Sequence, residues 1–67
     1  MFYVYFARGY ANEALIAECR TYDAAVARAE EEFDLGSQDV QVYDEDGYVI
    51  YEPEAAHANA DFLFFSV

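Results

Sequence analysis

Thr21-Tyr22-Asp23-Ala24-Ala25-Val26-Ala27-Arg28-Ala29-Glu30-Glu31-Glu32-Phe33-Asp34-Leu35-Gly36-Ser37 is the stretch that decides the fold. From Tyr22 to Phe33 the apolar residues Tyr22, Val26, Ala29 and Phe33 recur at spacings of three and four, with Ala25 beside them, which is the period of one helix face. Thr21 is placed to cap the first free amides with its hydroxyl. Leu35-Gly36-Ser37 reads as the exit, because glycine accepts the left-handed conformation that commonly ends helices.

On either side of this helix the period drops to two. Upstream, Phe2-Tyr3-Val4-Tyr5-Phe6-Ala7 is β-branched and aromatic and too short for a helix, so it reads as a strand. Gly9-Tyr10-Ala11-Asn12 supplies a turn, and Glu13 to Cys19 reads as a second strand with Leu15, Ala17 and Cys19 on one face and Ile16 and Glu18 on the other. Downstream, Asp39 to Tyr43 and Tyr48 to Tyr51 read as a hairpin closed by the loop Asp44-Glu45-Asp46-Gly47. Pro53 ends that hairpin, Glu54 to Ala60 has room for one or two helical turns, and Phe62 to Val67 is a last apolar strand.

The expected fold class is α+β. A small antiparallel sheet carries one main helix on one face, in the order ββαββ plus a C-terminal strand, with a short second helix as an option. Residues 1–67 are read as a single compact domain, since a chain of this length buries only about 60% of its unfolded surface and has room for one small core.

Apolar residues make up 57% of the chain and aromatics 19%, a composition that folds rather than stays disordered. The formal charge is nevertheless -11, from fourteen Asp and Glu against three Arg and no Lys. Such a charge opposes compaction and repels nucleic acid and anionic membranes, so it points to a basic protein surface as partner. The expectation is no direct nucleic-acid binding and no membrane association. The single Cys19 has no internal disulfide partner, the amino terminus lacks the pattern of a signal peptide, and no apolar run has membrane-spanning length. A cytoplasmic location is therefore expected.

The placement of the charge carries more information than its total. Residues 1–29 hold Glu13, Glu18 and Asp23 against Arg8, Arg20 and Arg28, which sum to zero. From residue 30 onward come Glu30, Glu31, Glu32, Asp34, Asp39, Asp44, Glu45, Asp46, Glu52, Glu54 and Asp61, with no Lys or Arg. Glu30 to Asp34 also fall at the negative end of the helix dipole, where cations would be favoured by about 0.3–1 kcal/mol each. A charge run is often only a solvated face, but a surface that serves solubility alone usually mixes both signs. The candidate partner-binding residues are therefore Glu30, Glu31, Glu32, Asp34, Asp44, Glu45, Asp46, Glu52 and Glu54.

Seven tyrosines are the second feature, because tyrosine offers large amphipathic contact area with few rotors to freeze. If Phe2, Val4 and Phe6 face the helix, Tyr3 and Tyr5 lie on the uncovered sheet face, in company with some of Tyr43, Tyr48 and Tyr51. That face is the alternative binding surface, belonging to an adaptor or assembly module whose charge serves solubility. A second copy is one candidate to cover it, while the net charge favours a monomer.

Chemistry of other kinds has little to build on. Asp44 to Gly47 lacks the spacing and closing Glu of a calcium loop, so no metal site is expected. Cys19 reads as a small core residue, and His57 stands alone in an Ala-rich segment. No phosphate loop and no Ser-His or Cys-His set accompanies the carboxylates, so no catalytic residues and no cofactor are expected.

In length, Lys-free acidic composition, compact α+β pattern and the acids of Glu30 to Asp34 and Asp44 to Asp46, the chain resembles the small acidic anti-CRISPR proteins of phages and mobile elements that mimic DNA. The resemblance rests on overall character along the whole chain, and no functional residue transfers through it. It implies an inhibitor that acts in the cytoplasm of a bacterial host cell, binds a CRISPR effector complex or another basic nucleic-acid-binding protein, and blocks access to target DNA. Antirestriction and repair-inhibiting mimics would use the same mechanism.

Overall fold

The computed structural model describes residues 1–57. Its elements are β1 (Phe2–Phe6), β2 (Ala14–Cys19), α1 (Tyr22–Asp34), β3 (Val40–Tyr43) and β4 (Val49–Tyr51), followed by a short helical segment, α2 (53–57). The strands form one antiparallel sheet in the order β2-β1-β3-β4, so the fold is α+β with α1 over one face. The expected strand from Phe62 to Val67, and residues 58–60 of the expected second helix, lie outside the described residues.

The helix is bounded as its flanking residues dictate. The Thr21 hydroxyl accepts from the Ala24 amide at 3.1 Å. At the other end Gly36, at φ +105°, donates to the Phe33 carbonyl at 3.0 Å, and Ser37 donates to the Glu32 carbonyl at 3.1 Å. This pair of bonds is the Schellman closure, which satisfies carbonyls the helix leaves open. Pro53 opens α2 at the position where its missing N–H is no loss, and it is itself buried.

The core is small and dry. Val4, Ala25, Ala29, Val40 and Val42 are 0–1% exposed, with Phe2, Phe6, Ile16, Ala17, Cys19, Ile50 and Tyr51 packed around them. Ala25 and Ala29 let α1 sit close to the three valines of β1 and β3, since a larger side chain at either position would hold the layers apart. Cys19 accordingly packs as a core residue.

One expectation about β2 needs correction. Val4 pairs with Ala17 but Tyr5 pairs with Leu15, which leaves Ile16 as the extra residue of a β-bulge. Alternation is therefore broken within the strand. Ile16 turns toward the core beside Ala17, while Leu15 faces outward opposite Tyr5 and is 47% exposed. A second irregularity lies in β4, where Val42 pairs with Tyr51 and Tyr43 with Val49. Tyr51 and Ile50 thus pack toward the core, and Val49 faces outward at 43% exposure. Three strands also start one residue late or lose an end residue: Glu13, Asp39 and Tyr48 belong to turns rather than to β2, β3 and β4. Glu13 accepts the Gly9 amide at 2.9 Å, and the Asp39 carbonyl accepts from Ala7 at 2.9 Å.

Candidate acidic interface

The nominated acids fall into two groups set by topology. α1 starts beside Phe2, whose ring meets Tyr22 edge to face at 6.1 Å, and it runs back along the sheet. Glu30, Glu31, Glu32 and Asp34 therefore gather at its far end, on the order of 15 Å from its start at 1.5 Å per residue. Asp44, Glu45 and Asp46 sit in the loop after Tyr43, which pairs with Tyr3, so they lie at the end of the sheet where α1 begins. β4 runs away from that loop, and Glu52 and Glu54 flank Pro53 just beyond it.

Several of these carboxylates also have internal duties. Glu30 is the most engaged: Tyr51 donates its hydroxyl to it, and His57 Nε2 lies 2.7 Å from its other oxygen. Those two contacts, Tyr51 first, hold the Glu30 carboxyl below the usual carboxylate range. The same hydrogen bond, with burial, pushes the Tyr51 phenol up to about 12. His57 stacks on Phe33 at 4.8 Å between centroids, so this cluster fastens α2 and β4 to the last turns of α1.

Arg28 reaches both Glu31 (3.5 Å) and Glu32 (3.1 Å) at the crowded helix end, whose last turn holds no basic residue. Partly exposed pairs of this kind contribute only about 0.3–0.5 kcal/mol each. The Oδ1 atom of Asp44 accepts the amides of Asp46 and Tyr48, both at 2.9 Å, and so shapes its own loop. Glu45 pairs with the Met1 amino group at 2.5 Å while remaining 69% exposed. Gln41 donates to Glu52 at 3.4 Å. Among the described residues nothing donates to the carboxylates of Asp34, Asp46 or Glu54, and all three residues are exposed.

Sequence reasoning placed Tyr3 and Tyr5 on the uncovered face, and the strand register puts them on the face away from α1 with Tyr43, Leu15, Gln41, Glu18 and Val49. Tyr48 is 70% exposed in the loop, and Tyr51 faces α1. The residue that sequence reasoning passed over is Arg8. Its guanidinium carbon lies 4.2 Å from the Tyr43 ring centroid and 4.7 Å from that of Tyr5, a cation–π roof that leaves Tyr43 only 7% exposed. Burial pushes the Tyr43 phenol above its ordinary range against the opposing pull of Arg8. Its hydroxyl donates to Gln41 at 2.5 Å. An arginine directly after an alternating aromatic strand was the available signal.

Among the described residues, no group of three or more His, Cys, Asp and Glu side chains is arranged to hold a metal ion, and no helix is long and apolar enough to cross a membrane. Compared with known protein families, with curated proteins and with solved structures, the chain has no significant match in any of the three.

Proposed function

We propose that this chain is a non-enzymatic inhibitor that occupies a basic nucleic-acid-binding site on a partner protein, in the manner of the anti-CRISPR DNA mimics it resembles. A CRISPR effector complex in the bacterial cytoplasm is the target which that resemblance implies. One observation carries the reading: from Glu30 onward every Asp, Glu, Lys and Arg in the sequence is an acid, and among the described residues the nominated acids Glu30 to Asp34 and Asp44 to Asp46 lie at two places separated by a helix length. DNA presents a phosphate about every 3.4 Å along each strand, so two acidic groups on the order of 15 Å apart match separated phosphates rather than a continuous row. Exposed members such as Glu31, Asp34, Asp46 and Glu54 would form charge-assisted contacts with Lys and Arg, and those contacts weaken as salt rises.

The test is target-DNA binding by purified effector complexes, measured with and without a stoichiometric amount of this protein. Inhibition that fades as salt rises, and that is lost in the triple variant Glu31→Lys, Asp34→Lys, Asp46→Lys with the fold intact, is the expected outcome. Inhibition unchanged by the triple reversal would sink the reading.

A second reading, an adaptor that binds through the sheet, is favoured by the exposure of Leu15 and Val49 beside Tyr3 and Tyr5 on the uncovered face. It predicts salt-resistant binding that Leu15→Ser with Val49→Ser removes.

A further inference from the structure

The outer face of the sheet already shows what it can hold. Arg8 is stacked on the rings of Tyr5 and Tyr43, which meet edge to face at 5.6 Å. Guanidinium is planar and weakly hydrated, and it is attracted to aromatic faces that a compact, strongly hydrated ammonium uses less well. Arg8 is thus an internal demonstration of a guanidinium-binding surface.

Tyr3 continues that surface. It faces outward between Glu18 of β2 and Tyr43 of β3 and is half-buried, and among the described residues no cation stacks on its ring. A surface hollow of about 210 Å³ opens beside it, lined by Tyr3, Tyr5, Arg8, Asp44, Glu45 and Gly47. The rim supplies carboxylates. Asp44 is aimed by the two loop amides on its Oδ1, which leaves Oδ2 for an outside donor. Glu45 holds only the Met1 amino group, in an exposed pair of the kind that exchanges at little cost.

We propose that this hollow seats one arginine side chain of the basic partner, stacked on the exposed face of Tyr3 and donating to Asp44 and Glu45. The proposal rests on the acidic-interface reading and adds the identity of the residue recognised. Arg8 and the Met1 amino group already contribute two positive charges here, against Asp44, Glu45, Asp46 and Glu18. The surplus of two negative charges leaves room for an added cation, the hollow has space for one side chain, and the aromatic wall selects arginine over lysine.

The experiment is an NMR titration of the full chain, at low salt, with a short alternating Arg-Gly peptide and with its Lys-Gly counterpart of equal length. The Arg peptide should bind roughly two- to fivefold more tightly. Its δ-methylene protons should shift upfield and show contacts to the Tyr3 ring. Tyr3→Leu should abolish both the shift and the preference, whereas Tyr3→Phe, which keeps the ring, should retain them. Equal affinities, absence of Tyr3 contacts in the unmodified protein, or a shift that survives Tyr3→Leu would overturn the seat alone. If neither peptide binds, the acidic-interface reading falls with it.

Discussion

The two faces of one sheet are built on opposite plans. Beneath α1, Val4, Val40 and Val42 meet Ala25 and Ala29 with no polar atom among them, and every one is 0–1% exposed. On the other side of the same strands, Tyr3, Tyr5 and Tyr43 present rings with hydroxyls, and among the described residues the cover over Tyr5 and Tyr43 is the Arg8 guanidinium rather than a helix. The first face gains from area removed from water and tolerates little change in volume. The second gains from ring contacts and a charge that stays in reach of solvent. Stability therefore resides on the helix-covered face, and the outer face is the one that the proposed arginine seat would use.

The largest test of this division is Val42→Ala. Removing buried methyl groups from a site that cannot collapse should lower the unfolding free energy by about 2 kcal/mol in denaturant titration. A loss no larger than that of an ordinary surface change would mean that the helix-covered face is loosely packed. A smaller but sharper test compares neighbours in β2. The bulge predicts that Ile16→Ser costs about 1–2 kcal/mol while Leu15→Ser stays within about 0.5 kcal/mol of the original. Regular alternation predicts the reverse order, so one pair of melts decides the register.

The smallest effect is in pH dependence, at the Glu30 cluster where the faces meet α2. Glu30 titrates below its ordinary range, so its contribution is present above the unfolded carboxyl pKa of about 4.3 and is lost as pH falls through the folded value. Tyr51 is shifted the other way. Its contribution is complete below the unfolded phenol pKa of about 10 and is lost as pH rises toward the folded value, which is about 12. Melting temperature should therefore decline at both extremes, and Tyr51→Phe should shrink the alkaline decline, leaving the part that the raised Tyr43 phenol supplies, while blunting the acid one. An alkaline limb unchanged in Tyr51→Phe would assign it to other tyrosines.

Much of the architecture could be read from local signals. Thr21 and Gly36 bracket α1 because capping is decided by residues within one turn of the end. The loop from Asp44 to Gly47 was equally plain, with Gly47 at φ +89° where a positive angle is required. The bulge at Ile16 was not legible, because an extra residue in a strand leaves no mark of composition and depends on what β1 offers opposite. The acids were visible as charges, but their internal work was not. Glu30 meets Tyr51 and His57 from 21 and 27 residues away, distances over which spacing says nothing. Arg28 with Glu31 and Glu32 lies at helical spacings of three and four and was readable in principle.

The strand order has a consequence for the chain as it is made. β1 is an inner strand, flanked by β2 from the adjoining hairpin and by β3 from beyond the helix. On a ribosome, the first hairpin emerges with Phe2, Val4 and Phe6 uncovered and one edge of β1 unpaired. That edge stays open until Tyr43 has left the exit tunnel, since Val4 waits for Val42 and Phe6 for Val40. Contacts that span so much of a short chain close late and expose apolar surface meanwhile. The half-made protein is thus the state most open to misassociation, and its hazard ends when β3 arrives.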